Sequence, residues 1–137
     1  GLERLGLESR IKQVLPMNQF IPSIGQGALA IEICANRFDL QELLVPLHDQ
    51  VSAARVGAER EMGRFLKASC NLPIAGFAEV SGQELILHGL IADSSEGVYL
   101  TATACGQLDS YIQLGQECAE QLLAQGAADI VAKFAKY

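Results

Sequence analysis

Apolar residues recur at intervals of three and four along residues 51–67. The positions are Val51, Ala54, Ala58, Met62, Phe65 and Leu66. This spacing places them on one side of an α-helix. The sequence therefore predicts an amphipathic helix that begins at Gln50 or Ser52.

Three short segments follow, with turn-forming residues between them. Residues 74–80, 84–92 and 98–106 are separated by two turns rich in Ser, Gly and Asp. In the middle segment apolar residues alternate with a mixed set: Leu85, Leu87, Gly89 and Ile91 against Ile86, His88 and Leu90. Such a pattern predicts an antiparallel meander of three strands.

Two further helices are predicted after the strands. Asp109 or Ser110 caps the first, which stops at Gly126. Its periodic positions are Ile112, Gly115, Ala119, Leu122 and Leu123, and the last piece carries Ile130, Val131 and Phe134. Residues 50–137 thus predict a complete small α+β domain, a three-stranded antiparallel sheet covered by helices.

Residues 1–47 are interpreted as separate pieces that do not belong to this domain. Prolines and glycines break residues 1–27 into short apolar pieces. Residues 28–34, apolar on both sides, predict one strand from the middle of a sheet, with no partner nearby. Without its sheet this strand is expected to be disordered, re-paired or paired between chains. Asp39 is predicted to cap a short leucine-rich helix that ends about Pro46.

Length and composition exclude several classes of protein. Half of the 137 residues are apolar, which is enough for a core. No apolar run approaches the roughly 20 residues of a membrane span, and the start has no signal core. Since the chain opens without Met inside an amphipathic element, we expect a fragment or a processed product. The unpaired spacing of four cysteines favours a reducing cytoplasm.

Charge is unevenly distributed. Residues 1–70 carry equal numbers of acidic and basic residues, so the whole net charge of -6 lies in residues 71–137. An acidic surface argues against nucleic-acid binding, which needs clustered basic residues. We interpret the acidic half as solvated surface that favours solubility.

Cys70 is the first functional candidate, because the pattern places it on a loop just after the long helix. Arg60, Arg64 and Lys67 precede it on one side of that helix. Arginine pairs with carboxylates through a planar fork, so the cluster is a candidate clamp for an acidic small molecule. The alternative is that these are ordinary solvated charges near a helix C-terminus.

A nucleophilic role for Cys70 requires a thiolate. Nearby cations lower a thiol pKa, whereas a helix C-terminus raises it. The alternative role is that of a small buried hydrophobe, which we predict for Cys34, Cys105 and Cys118.

The remaining motifs indicate no catalytic, phosphate-binding or metal-binding site. Gly25, Gln26 and Gly27 precede a predicted strand and lack the third glycine of a phosphate loop, so we interpret them as a flexible crossing. His48 and His88 are isolated, as expected of core or surface histidines. No metal-binding set is evident.

Several short motifs along the chain match the pattern of one protein family. The residues that carry it are Leu5-Gly6-Leu7, Ile24-Gly25-Gln26-Gly27-Ala28, Glu59-Arg60, Phe65-Leu66, Cys70 and Pro73-Ile74. They resemble the porphobilinogen deaminases, also called hydroxymethylbilane synthases. The resemblance covers the whole chain but only the C-terminal part of that family, whose full-length members are more than twice as long.

The resemblance implies a transferase that links four porphobilinogen molecules and releases ammonia, producing the linear tetrapyrrole used for haem. Growth occurs on a dipyrromethane primer held by a thioether, and Cys70 matches the cysteine that carries it. Arg60 matches an arginine that pairs with pyrrole acetate or propionate groups. The family's catalytic aspartate lies outside this chain, so no catalytic residue is assigned and the chain alone is expected to be inactive.

The resemblance also implies an organisation and a set of partners. Residues 1–27 would end a second α/β domain, with Gly25, Gln26 and Gly27 at a hinge. Residues 28–49 would return to a first α/β domain, both domains resembling periplasmic binding proteins, and residues 50–137 would form the cofactor-carrying third domain. The partners would be porphobilinogen, the growing pyrrole chain and the missing N-terminal domains of a monomer, without nucleic acid or membrane.

Two departures from the family pattern surround the cysteine. Ala68-Ser69 stands where the family usually has Gly-Gly, and Ala75-Gly76 where it has Gly-Ala.

The competing hypothesis is a noncatalytic carboxylate-binding or interaction module in which Cys70 is structural.

Overall fold

The computed structural model describes residues 1–17, 19–68 and 71–134. The helices are α1 (Phe38–Leu44), α2 (Gln50–Phe65), α3 (Tyr111–Ala124) and α4 (Ala127–Phe134), and the strands are β1 (Ile74–Ser81), β2 (Glu84–Asp93) and β3 (Val98–Gln107). Short 3-10 turns lie at Glu3–Leu5, Glu8–Arg10, Val45–Leu47 and Leu108–Ser110. The predicted long helix, the three strands and the two C-terminal helices are confirmed, with bounds shifted by one or two residues.

Helix α2 begins at Gln50, one of its two predicted first residues. Asp49 is the N-cap, and its carboxylate accepts the N–H of Ser52 at 2.7 Å. This bond satisfies one of the free amides of the first turn. Ala54, Ala58 and Met62 then form the predicted buried face.

The three strands form one antiparallel sheet in the order β1-β2-β3. Helices α2 and α3 cover one of its faces, and the apolar side of β2 predicted by alternation lies beneath them. The largest fully buried side chains are Met62, Leu85, Leu87, Ile91, Leu122 and Cys118. The α+β fold class is therefore confirmed.

Glycines allow Met62 to lie directly on the sheet. Gly76 and Gly89 are paired across β1 and β2. A Cβ at Gly89 would lie 2.6 Å from the Met62 sulfur, and one at Gly76 would lie 2.7 Å from its methyl carbon. These distances are too short for real contacts, so glycine at position 76 serves packing rather than an unusual backbone angle.

Residues 28–34 do not form the predicted strand, which agrees with the expectation that this segment lacks its sheet in this chain. These residues form no helix or strand, and the Leu29 side chain is 93% exposed. Isolated β-structure needs a partner, and the described sheet contains only β1, β2 and β3. The expectation for the next helix also needs correction, because α1 begins at Phe38 and the Asp39 carboxylate accepts two bonds from Arg37 instead of capping.

Large exposed apolar side chains are concentrated in residues 1–47. They are Leu2, Leu5, Ile11, Val14, Leu15, Met17, Phe20, Leu29, Ile31, Phe38, Leu43, Val45 and Leu47. In the described part of the chain, no helix is long and apolar enough to cross a membrane.

Candidate functional site

The basic cluster predicted near the C-terminal end of α2 is open to solvent. Arg60, Arg64 and Lys67 are all exposed. Within the described residues, no carboxylate lies within ion-pair distance of Arg60. Its guanidinium is therefore available to an acidic ligand.

Arg64 is already paired. Its Nε and Nη2 donate to the Glu61 carboxylate at 2.7 and 2.6 Å, and the Gln116 amide donates to the same carboxylate at 2.7 Å. The Arg64 and Gln116 hydrogen bonds lower the pKa of Glu61 to about 2. Two of the three cations in the predicted clamp are therefore left for a ligand, since the charge of Arg64 is neutralised by Glu61 of the same helix.

Helix α2 ends in a turn that directs the chain toward the cysteine loop. The Lys67 N–H donates to the Arg64 carbonyl at 3.0 Å, and the Ala68 N–H donates to the Gly63 carbonyl at 2.8 Å. This pair of bonds is the Schellman arrangement, which needs a left-handed residue. That residue is Lys67, at φ 53°. The family departure at Ala68 therefore occupies a position that needs no glycine.

Cys70 and Ser69 lie outside the described residues, so the predicted role of Cys70 stays a prediction. The chain on its far side is well anchored. The Ile74 N–H donates to the Leu72 carbonyl at 2.8 Å, and the Ala92 N–H of β2 donates to the Pro73 carbonyl at 3.0 Å. Leu72 itself is buried in the core.

The prediction for the other cysteines is right for one of three. Cys118 is fully buried, and burial raises the pKa of its thiol to about 12. Cys105 is exposed because it points away from the helices, in alternation with the buried Ala104. Cys34 is exposed because residues 28–34 form no strand.

Glu59 was missed as a site residue by the sequence reasoning. Its carboxylate is buried and accepts the N–H of Gly25 at 2.7 Å and the N–H of Ala78 at 2.8 Å. An available signal was its place beside Ala58 and three residues before Met62, within the apolar face of α2. A charged residue on a buried face indicates a specific partner.

The predicted hinge glycines lie against this carboxylate. Gly25 and Gly27 have φ values of 71° and 81°, which favour glycine. Nearby, the Gly76 N–H donates to the Pro22 carbonyl at 3.0 Å. The segment before Ala28 is thus held against α2 and β1, although its behaviour as a hinge stays a prediction.

The histidines lie apart from these residues. His88 is partly exposed on the open face of the sheet, beside Thr103 and Glu79. His48 is exposed and lines a groove of about 920 Å³ with Gln50, Gln83 and Gln107. That groove lies at the N-terminal end of α2, away from Arg60.

Two family models match the chain. One is described as "Porphobilinogen deaminase, C-terminal domain" and matches residues 53–124. The other is described as "Porphobilinogen deaminase, dipyromethane cofactor binding domain" and matches residues 1–42. Cys70 falls in the first match and Cys34 in the second.

Curated relatives agree with these matches. The chain is 43% identical over 131 residues to a porphobilinogen deaminase of Laribacter hongkongensis, covering 96% of the chain and 42% of the relative. It is 42% identical over 135 residues to that of Nitrosomonas europaea, covering 98% and 44%. For Paraburkholderia phymatum the identity is 45% over 134 residues, covering 96% and 41%. The chain therefore spans about two fifths of the length of these relatives.

Proposed function

The chain belongs to the porphobilinogen deaminase family, and we propose that it is the C-terminal portion of an enzyme that joins four porphobilinogen molecules into hydroxymethylbilane. The observation that carries this proposal is the pair of family matches, which together extend over most of the chain. A noncatalytic module is not favoured, because the matched relatives are named as deaminases.

The proposed reaction balances without an oxidant. In each condensation a porphobilinogen loses its aminomethyl nitrogen as ammonia, and its methylene carbon bonds to a pyrrole carbon that loses a proton. The dipyrromethane cofactor, when bound, would supply the pyrrole carbon on which the chain grows. Release of the tetrapyrrole as hydroxymethylbilane would consume one water, whose hydroxyl goes to the methylene carbon and whose proton returns to the cofactor's pyrrole carbon. In this proposal the Cys70 thiol holds that cofactor through a thioether.

The residues of α2 fit such an acidic group. Pyrrole acetate and propionate groups require cations, and Arg60 presents an exposed guanidinium without a described ion-pair partner. Lys67 is exposed one turn before the cysteine loop. The Glu61–Arg64 ion pair stabilises the last turns of α2. Because Glu61 pairs with Arg64, the Arg60 guanidinium stays open to the carboxylates of the pyrrole groups.

The exposed apolar residues of residues 1–47 support the proposed domain plan. We assign residues 1–27 to the end of the second domain and the hinge, 28–49 to the first domain, and 50–137 to the cofactor-carrying domain. The N-terminal part of a longer protein would cover side chains such as Leu29 and Leu43, which are open to solvent here.

The proposal places a monomeric enzyme in the cytoplasm. The three described cysteines are free thiols, as expected in a reducing compartment. Its partners would be porphobilinogen and the growing pyrrole chain. The acidic second half of the sequence does not favour nucleic acid as a partner.

The test is turnover by the purified full-length protein. With porphobilinogen as the only substrate, we expect one ammonia released for each porphobilinogen consumed, together with hydroxymethylbilane. The 137-residue chain alone should release none, because the family resemblance implies that the catalytic aspartate lies outside it. A full-length protein that binds porphobilinogen without releasing ammonia would exclude the proposed reaction.

A further inference from the structure

We propose that Glu59 is a positioning residue that fixes the Gly25–Gly27 hinge to the cofactor-carrying domain. This inference rests on the proposed function, because it gives the hinge and the cysteine loop their roles. It begins from a buried carboxylate with no cationic partner among the described residues. A charge in such a place needs compensating hydrogen bonds.

Both carboxylate oxygens of Glu59 have a backbone partner. Oε2 accepts from Gly25 and Oε1 accepts from Ala78, residues that lie 34 and 19 positions away in sequence. One side chain therefore joins three parts of the chain, namely the hinge segment, α2 and β1. Hydrogen bonds to a charged group are stronger than those between neutral groups.

The Ala78 contact fixes Glu59 to a strand edge that would otherwise be open. Among the described strands β1 pairs only with β2, so backbone groups on its outer edge need partners outside the sheet. Arg55, one turn before Glu59 on α2, donates from Nε to the Ala78 carbonyl at 2.5 Å. Its guanidinium also lies over the Phe77 ring, 5.3 Å from the centroid. The two side chains together satisfy both backbone groups of Ala78 and hold the orientation of α2 against β1.

The hinge segment is seated on the same two elements by apolar contact. An added Cβ at Gly63 would lie 2.9 Å from Cδ1 of Ile24, and one at Gly76 would lie 3.2 Å from Cγ1 of Ile24. Ile24 therefore packs where α2 and β1 present glycines. Glu59 adds a directional hydrogen bond to this apolar contact, because the Gly25 N–H donates to its carboxylate at 2.7 Å.

The hydrogen bonds of Glu59 would also determine the positions of Arg60 and the cysteine loop. Arg60 follows Glu59 directly, and β1 begins four residues after Cys70. A residue that fixes the hinge to α2 and β1 also fixes where Arg60 and the cysteine loop stand relative to the preceding domains. Glu59 itself is buried and need not touch the substrate.

Amide hydrogen exchange of the full-length protein tests this role, with Glu61→Gln as the matched control. Glu61 is a buried carboxylate of the same helix, but its partners are Arg64 and Gln116. We expect Glu59→Ala to accelerate exchange at both Gly25 and Ala78 by at least about tenfold. Glu61→Gln should lower Tm yet leave both rates within about twofold of wild type.

A conservative variant distinguishes loss of the Glu59 hydrogen bonds from a general destabilisation of α2. Glu59→Gln keeps one accepting oxygen, so it should accelerate exchange at only one of the two amides and keep the protein folded if the alanine variant does not fold. In the same preparations, kcat should fall by at least about threefold for Glu59→Ala, less for Glu59→Gln, and remain near wild type for Glu61→Gln.

The outcomes distinguish the two proposals. A wild-type protein that releases no ammonia refutes the proposed function and this inference with it. A wild-type protein that turns over, with Gly25 exchange unchanged by Glu59→Gln and Glu59→Ala, refutes the inference alone. Equal acceleration at Gly25 by Glu61→Gln also refutes it, because the effect would then be a general loosening of α2.

Discussion

Arg64 donates two hydrogen bonds to Glu61, at 2.6 and 2.7 Å, three residues before it on the same helix. The pair occupies the guanidinium that sequence spacing places beside Arg60. Two arginines one turn apart therefore differ in their contacts, since Arg64 is paired within the helix and Arg60 has no ion-pair partner among the described residues.

This difference predicts unequal effects of substitution on substrate use. In the full-length protein, Arg60→Ala should lower kcat/KM for porphobilinogen by about 10- to 100-fold, because a charge-assisted bond to a carboxylate is lost. Arg64→Ala is the matched control and should lower it by less than about threefold. Steady-state kinetics of both variants measures this, and equal losses would show that the two arginines act alike.

A second prediction concerns acid stability. The buried Asp93 carboxylate accepts bonds from Lys133 and Ser95, and these lower its pKa to about 2. In the unfolded chain an aspartate has a pKa of about 3.9. The stabilisation is therefore complete above about pH 5 and is lost as the pH falls from about 4 toward 2.

Thermal unfolding between pH 7 and pH 2 measures this effect. Asp93→Asn should lower Tm by several degrees at pH 7 and flatten the decline in acid, with the remaining slope partly due to Glu61, whose pKa is also about 2. Glu96→Gln is the control, because it shares Lys133 but leaves the bonds of Asp93 in place. Parallel curves for Asp93→Asn and wild type would contradict the prediction.

A third prediction uses two helix glycines. A Cβ at Gly115 would lie 2.6 Å from the Ala58 carbonyl oxygen, at the contact between α3 and α2. Backbone cannot move aside cheaply, so Gly115→Ala should destabilise the protein by roughly 1–3 kcal/mol. At Gly57 the three nearest atoms to the added carbon belong to the half-buried Tyr111 ring, a side chain rather than backbone.

Denaturant unfolding compares the two variants. Gly57→Ala should change the free energy of unfolding by less than about 1 kcal/mol, since the gain in helix propensity offsets the displacement of the ring. A Gly115→Ala variant as stable as wild type would mean that α2 and α3 are not in close backbone contact.

The turn before the cysteine loop gives a fourth prediction. Lys67 has a left-handed backbone, which costs a side-chain-bearing residue about 1–2 kcal/mol. Lys67→Gly should therefore stabilise the folded state by roughly 0.5–1 kcal/mol. Ala68→Gly, the neighbouring control, should bring no gain because Ala68 has no such backbone angle. A larger gain at Ala68 would place the left-handed residue there instead.

Much of the fold was predictable because local patterns and tertiary contacts agree in residues 50–134. The alternation in β2 and the spacing of α2 match the faces that are buried. Residues 28–34 show the limit, because an apolar run specifies a strand only when a neighbouring strand is present. The first residue of α2 was predicted, but its Asp49 cap was not, since several polar residues near His48 are suitable caps.

The site was predicted less completely than the fold. Arg60 could be proposed from its spacing and from the family resemblance, and its exposure fits that role. Glu59 was missed, although its place on the apolar face of α2 indicates a specific partner. The identity of that partner could not be predicted, because Gly25 lies 34 residues away. Long-range hydrogen bonds of this kind leave no periodic signal in a sequence.

The intact mass of the full-length protein purified from cells tests the central claim most directly. We expect extra mass equal to two linked pyrrole units in wild type and in the Cys34→Ser and Cys105→Ser variants, whose thiols are exposed but lie outside the cysteine loop. The Cys70→Ser variant should lack that mass. An adduct that persists in Cys70→Ser, or its absence from every protein including wild type, would contradict the assignment of Cys70 as the carrier of the primer.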